Sequence, residues 1–318
     1  MEPRFLSLCL NPTIQKTYVF GRLDQGEVNR ALLVRTDASG KGVNVARVLS
    51  EAGAKAVHIT HLGGSSGEWF LSLCQADGID VRWVDSRSPV RICSTVIERE
   101  ARRATELVEE SAPVAEGTEE RILALFRDQA RLGGFLILSG SKAAGYSPSV
   151  FPRMLRMAAE AGVPALLDIR GPDLLACLPF RPAAAKPNLQ EFLATFPPSL
   201  EEASLEEGSL EVGSLDGSTL ERHIEATLRR LKSDYGTDFV LTRGDRPVLF
   251  LEDGRLSEME VEKTEVVNPI GSGDAFAAGM AMVLADGGSL KESVRRGIEF
   301  GRANASELKI GTIGGRRV

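Results

Sequence analysis

Four short apolar runs in this chain each stop at a polar or glycine residue. Phe135-Leu136-Ile137-Leu138 enters Ser139-Gly140-Ser141, and Ala165-Leu166-Leu167 enters Asp168. Ala183-Ala184-Ala185 leads to Lys186-Pro187-Asn188, and Phe239-Val240-Leu241 leads to Thr242-Arg243-Gly244. Short apolar runs bounded by turn residues, with helical patterns between them, predict an α/β fold built on a doubly wound, mostly parallel sheet. In such a sheet the ligand-binding loops lie at the carboxyl ends of the strands, so the residues that close each run are the first candidates for function. Phe5 to Leu10, ending at Asn11-Pro12, and Ala56 to Leu62, ending at Gly63-Gly64, extend the same pattern. Helices are expected through Glu68 to Gln75 and Glu119 to Leu132, the second with Ile122, Leu123, Phe126 and Ala130 on one side, and again where Leu220, Ile224, Leu228 and Leu231 recur.

Two stretches break the pattern. Thr13 to Thr36 is polar-rich and alternating, with Gly21 and Gly26, and reads as a small antiparallel excursion from the core. Arg82 to Val84, Ile92 to Glu98 and Thr105 to Val108 also look like exposed alternating strands, where a second piece of that excursion fits. The expected division is an α/β core of residues 1–12, 37–89 and 110–318 and a β lid of residues 13–36 and 90–109. Between Ser199 and Asp216 a Ser-Leu-Glu unit recurs at a five-residue step, which matches neither helix nor strand. That segment reads as an acidic surface loop without a catalytic role.

The chemistry concentrates near the C-terminus, in Asn268-Pro269-Ile270-Gly271-Ser272-Gly273-Asp274-Ala275-Phe276. A segment able to run as a strand, Met259 to Val267, stops at Asn268-Pro269, and an apolar helical run follows from Ala275 to Leu284. Gly271 and Gly273 permit a tight turn and leave main-chain N–H groups at the helix start open to an anion. Asp274 can serve as the helix cap, or it can take a proton from a hydroxyl that attacks a phosphate held there. Ser39-Gly40-Lys41-Gly42-Val43-Asn44 is a second glycine turn feeding an amphipathic helix. It is neither a Walker A loop, since Gly42 follows Lys41, nor a dinucleotide fingerprint, since the third glycine is missing. What remains is a lysine and an asparagine at a helix start, suited to an anionic or hydroxylated ligand, with a plainly solvated lysine as the alternative.

Composition narrows the partners. A formal net charge of −6 with no basic stripe argues against nucleic acid. The 4 cysteines, Cys9, Cys74, Cys93 and Cys177, are far apart and form no metal or disulfide framework. His58 and His61, three apart on a strand, point to opposite faces and read as structural. No apolar run approaches membrane-spanning length and the N-terminus shows no cleavable leader pattern, so no membrane role and a cytoplasmic location are expected.

Taken together and in order, Ser39-Gly40-Lys41-Gly42-x-Asn44, Lys186-Pro187-Asn188-x-x-Glu191, Thr242-x-Gly244 and Gly271-Ser272-Gly273-Asp274 resemble the PfkB (ribokinase-like) carbohydrate kinases, from about Leu8 to Ala305. Leu10-Asn11-Pro12, Ser139-Gly140-Ser141 and Val267-Asn268-Pro269 look most like the branch that contains 1-phosphofructokinase and tagatose-6-phosphate kinase. The resemblance implies ATP-dependent phosphorylation of a ketohexose phosphate, of the tagatose 6-phosphate or fructose 1-phosphate type. Asp274 would be the base, and Gly271, Ser272 and Gly273 the anion hole for the moving phosphoryl group. Gly40, Lys41 and Asn44 fall where the family holds its sugar, with Gln15 beside them and Arg91 placed for the substrate's own phosphate. Lys186, Asn188, Thr242, Gly244, Gly273 and Asn304 would meet the nucleotide, and Asn188 and Glu191 would help place Mg2+. The excursion strands would be the lid, and strands of such a lid can pair edge to edge between subunits, the route open to a homodimer.

The sequence also departs from that family's pattern. Gln15 stands where an acid usually grips sugar hydroxyls, and Gln donates as well as accepts. Asn268 takes the place of an Asp that in many relatives supports a monovalent cation, and Pro247 replaces a glycine after Thr242-x-Gly244. Two other readings follow: a kinase of a non-phosphorylated sugar or nucleoside, and a nucleotide- or sugar-binding protein without turnover.

Overall fold

A computed structural model describes residues 4–198 and 217–314, so the expected acidic loop of 199–216 lies outside the described residues. A nine-stranded sheet forms the centre, in the order β13-β12-β11-β10-β9-β8-β1-β4-β5. Its inner strands are β1 (Arg4–Leu10), β4 (Lys55–Leu62), β8 (Phe135–Lys142), β9 (Ala165–Asp168), β10 (Ala184–Ala185) and β11 (Asp238–Arg243), all parallel to one another. β5 (Asp80–Asp85) closes one edge in parallel with β4, while β12 (Arg246–Glu252) and β13 (Arg255–Met259) add an antiparallel edge at the other.

Successive side chains of a strand face opposite sides, and here both sides are covered. Phe5, Phe135, Ile137, Leu166 and Val240 meet α1 (Lys41–Glu51), α8 (Ser272–Ala285) and α9 (Leu290–Ala305) in one core. Leu6, Leu136, Leu138, Leu167 and Leu241 meet α3 (Thr118–Ala130), α4 (Val150–Glu160), α5 (Gly171–Cys177), α6 (Leu189–Thr195) and α7 (Gly217–Tyr235) in the other. The helix face read from Ile122, Leu123, Phe126 and Ala130 is buried in that second core. The doubly wound reading therefore stands, and its cause is the unbroken apolar run at each strand. Among the described residues no helix is long and apolar enough to cross a membrane.

A separate four-stranded sheet, β3-β2-β6-β7, stands over one end. β2 (Thr13–Phe20) pairs antiparallel with β3 (Leu33–Ser39), and β6 (Arg91–Glu98) antiparallel with β7 (Arg103–Leu107). The two pairs join through a parallel β2–β6 ladder, because the 90-odd strands arrive after a long passage through the core and not by a hairpin turn. Ile14 and Ala38 of this sheet pack with Val43 and Ala46 of α1 and with Phe70 of α2 (Gly64–Ala76).

Two local expectations fail. Arg82 to Val84 belongs to β5, the edge of the large sheet, and not to the small one. The strand expected over Met259 to Val267 ends at Met259, and residues 260–269 run without strand pairing. Val266 and Val267 are exposed there, and the amides of Val267 and Asn268 both donate to the Ala305 carbonyl at the end of α9. The chain approaches the glycine turn tied to a helix end, where an apolar-alternating text alone suggests a sheet.

Candidate active site

The carboxyl ends of β1, β8, β9, β10 and β11, the start of α1, the glycine turn before α8 and the floor of the small sheet enclose a cleft of about 430 Å³. Gln15, Gly40, Lys41, Asn44 and Arg91 line one part of it. Lys186, Asn188, Glu191 and Thr242 line another, with Gly271, Gly273 and Asp274 also on the wall. These residues come from positions up to 259 apart in the chain, and the switch of strand order at β1 is what gathers them.

Gly271 adopts φ 84, a left-handed conformation, and a Cβ there would sit 2.7 Å from Ile310 Cγ2. Glycine is required by both the turn and the close approach. The amides of Ser272, Asp274 and Ala275 turn back to the carbonyls of Pro269 and Gly271. The amides of Gly271 and Gly273 meet no acceptor among the described residues, and both glycines face the cleft. Ser272, by contrast, does not line it; its hydroxyl accepts from Asn304 Nδ2 at 3.2 Å. Asn304 is wholly buried, donates also to the Ile270 carbonyl at 2.9 Å, and accepts from Gly311 N at 2.7 Å. The structure thus places Asn304 under the glycine turn, as its clamp, and away from the cleft. Asn268 does similar work, donating to the Leu308 carbonyl at 3.1 Å and accepting from Ile270 N at 3.1 Å.

Asp274 sits in the first turn of α8, 6 % exposed. Its side chain does not cap the helix; Oδ2 accepts from Asn44 Nδ2 at 2.8 Å. Burial pushes its pKa from 3.8 up to about 6, against the pull of Lys41 and the Asn44 hydrogen bond and with the push of Asp168. A carboxylate held near neutrality beside free amides has the properties of a proton acceptor.

Asp168, at the end of β9, was legible only as the polar residue closing a strand, and it is central here. It is 1 % exposed and accepts from Lys41 Nζ at 3.3 Å and pairs with Lys186 Nζ at 3.2 Å. Burial alone would raise its pKa, but the two ammonium groups hold it below the ordinary value, so it stays ionised. Burial works against the charge on Lys41, yet Asp168, then Asp274 and Glu191, keep its pKa above the ordinary lysine value. Both lysines are paired with the one buried carboxylate and line the same cleft; Lys41 is ion-paired and not simply solvated, though its side chain keeps 40 % exposure.

Asn188 and Glu191 form a capping box at the start of α6: Glu191 N donates to Asn188 Oδ1 at 2.8 Å and Asn188 N to Glu191 Oε2 at 3.0 Å. Thr242 bridges to Asn188 in parallel. Gly244 lies off the cleft, in the turn between β11 and β12, with φ 70. On the lid side, Gln15 is buried and donates to Thr95 Oγ1 at 2.9 Å. Arg91 donates through one terminal nitrogen to the Glu109 carbonyl at 3.0 Å, while its Nε is buried without a partner among the described residues. Asn11 and Ser141, hydrogen-bonded to each other at 2.9 Å, complete that wall. His58 and His61 are buried away from this surface, with pKa values pushed down to about 3 and about 4 by burial, and remain neutral.

Known proteins are similar over nearly the whole chain. A tagatose-6-phosphate kinase of Staphylococcus epidermidis is 25% identical over 321 residues, covering 97% of this chain and 94% of that protein. Phosphofructokinase-2 of Escherichia coli, in complex with potassium, superposes with a TM-score of 0.81 at 20% identity, covering 96% of this chain and 94% of that one. A possible 1-phosphofructokinase of Thermotoga maritima gives 0.80 at 18% identity, over 98% and 95% of the two chains. The family model described as pfkB family carbohydrate kinase matches residues 6–312, and the chain belongs to that family.

Proposed function

We propose that this carbohydrate kinase transfers the γ-phosphoryl group of ATP to a hydroxyl of a ketohexose phosphate, of the tagatose 6-phosphate or fructose 1-phosphate type. The observation that carries the reading is the pairing of a buried carboxylate, Asp274, with amides at Gly271 and Gly273 that have no acceptor among the described residues, in one cleft. Asp274 Oδ2 is held by Asn44, which leaves Oδ1 to receive the sugar hydroxyl's proton as its oxygen attacks phosphorus. The Gly271 and Gly273 amides and the α8 N-terminus donate to the phosphoryl oxygens as charge builds on them. Lys186 and Lys41, held in place by Asp168, flank the path from nucleotide to sugar and need no reorganisation as negative charge moves between them.

Asn188 and Glu191 are the residues that would hold Mg2+. Their capping box leaves one lone pair on Asn188 Oδ1 and leaves Glu191 Oε1, among the described residues, without a hydrogen bond and in a 3.6 Å ion pair with Arg170. One carboxylate and one amide oxygen suit an ion that keeps most of its waters and takes its remaining ligands from nucleotide phosphates. When bound, it would neutralise charge on those phosphates.

Arg91 directs the substrate assignment. It lines the cleft on the side of the small sheet, with Asn11 and Ser141 also on the wall, and a guanidinium suits a phosphate of the substrate. The test is turnover of tagatose 6-phosphate, fructose 1-phosphate and fructose 6-phosphate with magnesium-ATP, reading the position phosphorylated. Arg91→Ala should raise KM for the phosphosugar about tenfold or more, the scale of a lost charge-assisted pair. No turnover of any phosphosugar, alongside turnover of a free sugar or nucleoside that Arg91→Ala leaves unchanged, would replace this substrate class by the non-phosphorylated one.

A further inference from the structure

Arg47, on α1, is among the largest side chains of the protein buried below 2 % exposure, and none of the chemistry described so far uses it. An arginine cannot shed its charge in a protein, so each of its donors must be answered. Nε donates to Asp77 Oδ2 at 2.9 Å, one terminal nitrogen to the Ala38 carbonyl at 2.5 Å, and the other to the Ile310 carbonyl at 2.9 Å and to Asn44 Oδ1 at 3.2 Å. Asp77, at the end of α2, also pairs with Lys309. Burial would raise the Asp77 pKa, but Arg47 and Lys309 hold it below the ordinary value, so the network remains ionised.

The contact with Asn44 has a chemical consequence. An amide side chain can present either oxygen or nitrogen in a given direction, and its neighbours choose. Asn44 Oδ1 faces Arg47 and the Ser39 hydroxyl, the latter at 3.2 Å, while Nδ2 faces Asp274 at 2.8 Å. Turned over, the amide would set its N–H groups against a guanidinium and its oxygen against a carboxylate. Ser39 cannot enforce the choice, since a hydroxyl accepts as readily as it donates. Only Arg47 is an obligate donor.

We infer that Arg47 is a positioning residue for the phosphoryl-transfer reaction: by holding Asn44 Oδ1 it fixes the amide so that Nδ2 donates to Asp274. This rests on the reading of Asp274 as the base. The charged and titratable groups facing Asp274 are Lys41 from α1, Asp168 from β9, Lys186 from the end of β10 and the Cys9 thiol from β1. None of them is altered by a change at Arg47, so a change there reaches Asp274 through Asn44. Losing the Asn44 donor removes a stabiliser of the ionised carboxylate and raises the pH at which Asp274 titrates.

The experiment is a double-mutant cycle of Arg47→Met and Asn44→Ala, read by the titration of the Asp274 side-chain carbon in aspartate-labelled protein by NMR, without substrate. Arg47→Met leaves Asp77 paired with Lys309, which favours folding; Arg47→Gln, neutral and no obligate donor, takes its place in the cycle if the methionine variant does not fold. The expected result is an upward shift of about one pH unit on replacing Arg47, and no further shift on replacing it in the Asn44→Ala background. In the rate, kcat at saturating substrates should fall about 10- to 100-fold with KM for ATP within about twofold. An unmoved titration in a folded Arg47 variant, or the same shift in both backgrounds, would overturn the inference. Because the titration needs no turnover, a wild-type protein inactive on every sugar would refute the proposed function and still leave the Arg47 result to be decided.

Discussion

Replacing Asp274 by asparagine should abolish catalysis and make the protein more stable, and the size of the second effect follows from the burial of the carboxylate. The Asp274 pKa stands at about 6 against an ordinary 3.8, a difference of about two units, or about 3 kcal/mol at about 1.4 kcal/mol per unit. The sign follows from proton counting. Between pH 4 and pH 6 the folded protein holds a proton on this group that the unfolded chain has released, so stability falls as pH rises through that window and levels off above it. Asparagine mimics the protonated form, keeps an oxygen for Asn44 Nδ2, and has no such dependence. For 318 residues at about 2.1 cal/mol/K each, the unfolding entropy is about 0.7 kcal/mol/K, so about 3 kcal/mol corresponds to about 4 °C. Thermal melts of wild type and Asp274→Asn in buffers from pH 4 to pH 8 measure it. The variant should melt higher at pH 7, and the two curves should converge as pH falls to 4. A variant no more stable at pH 7, or an advantage that persists unchanged at pH 4, would show that the carboxylate is not held in a desolvating site. In the rate, the same titration predicts an acid limb centred near pH 6, because the base acts only when ionised.

The other predictions concern the walls of the cleft. Lys186→Met should raise KM for ATP by about tenfold or more with a smaller effect on KM for the sugar, since it removes the point charge proposed for the nucleotide phosphates and leaves Asp168 to Lys41; an effect confined to the sugar would reverse the assignment. Gly271→Ala should cost about 2 kcal/mol or more, adding left-handed strain to a methyl placed 2.7 Å from Ile310 Cγ2, and should lower kcat further by tilting the free amides. Melting curves and saturation kinetics of a purified variant check both, and a wild-type profile would refute the crowding argument.

The sheet and its two helical layers were legible because burial on both faces imposes one local rule, an apolar run closed by a turn, and that rule repeats at β8, β9, β10 and β11. The glycine turn was legible at Gly271 for a related reason, since a left-handed turn into a helix needs glycine whatever surrounds it. What stayed hidden depends on partners far along the chain. Asp168 reads as a strand-end acid until Lys41, 127 residues away, is brought onto it. Asn304 was expected at the nucleotide, but a buried asparagine that clamps Gly311 and Ile270 looks the same in sequence as one facing a ligand. Asn188 and Glu191 show the converse: the Asn-x-x-Glu to which the family resemblance gives a magnesium role also makes a helix cap, and here the cap is formed.

The same distinction explains how the site holds its charges. Lys41 and Asn44 lie on one turn of α1; Asp168, at the end of β9, orients the lysine, and Arg47, one turn further along α1, contacts the asparagine. Arg47 in turn ties together Ala38 at the foot of the lid, Asp77 at the end of α2 and Ile310 beneath the glycine turn. Gly311, next along, packs so closely that a Cβ would lie 2.7 Å from Asn44 Cα. A reaction that moves a phosphoryl group between a nucleotide and a sugar requires the base, the cradle and the sugar wall to keep one spacing. In this chain a single buried guanidinium ties Asn44 of α1 to the end of β3, the end of α2 and the segment beneath the glycine turn, so the relative placement of these elements is set by the core and not by the surface loops.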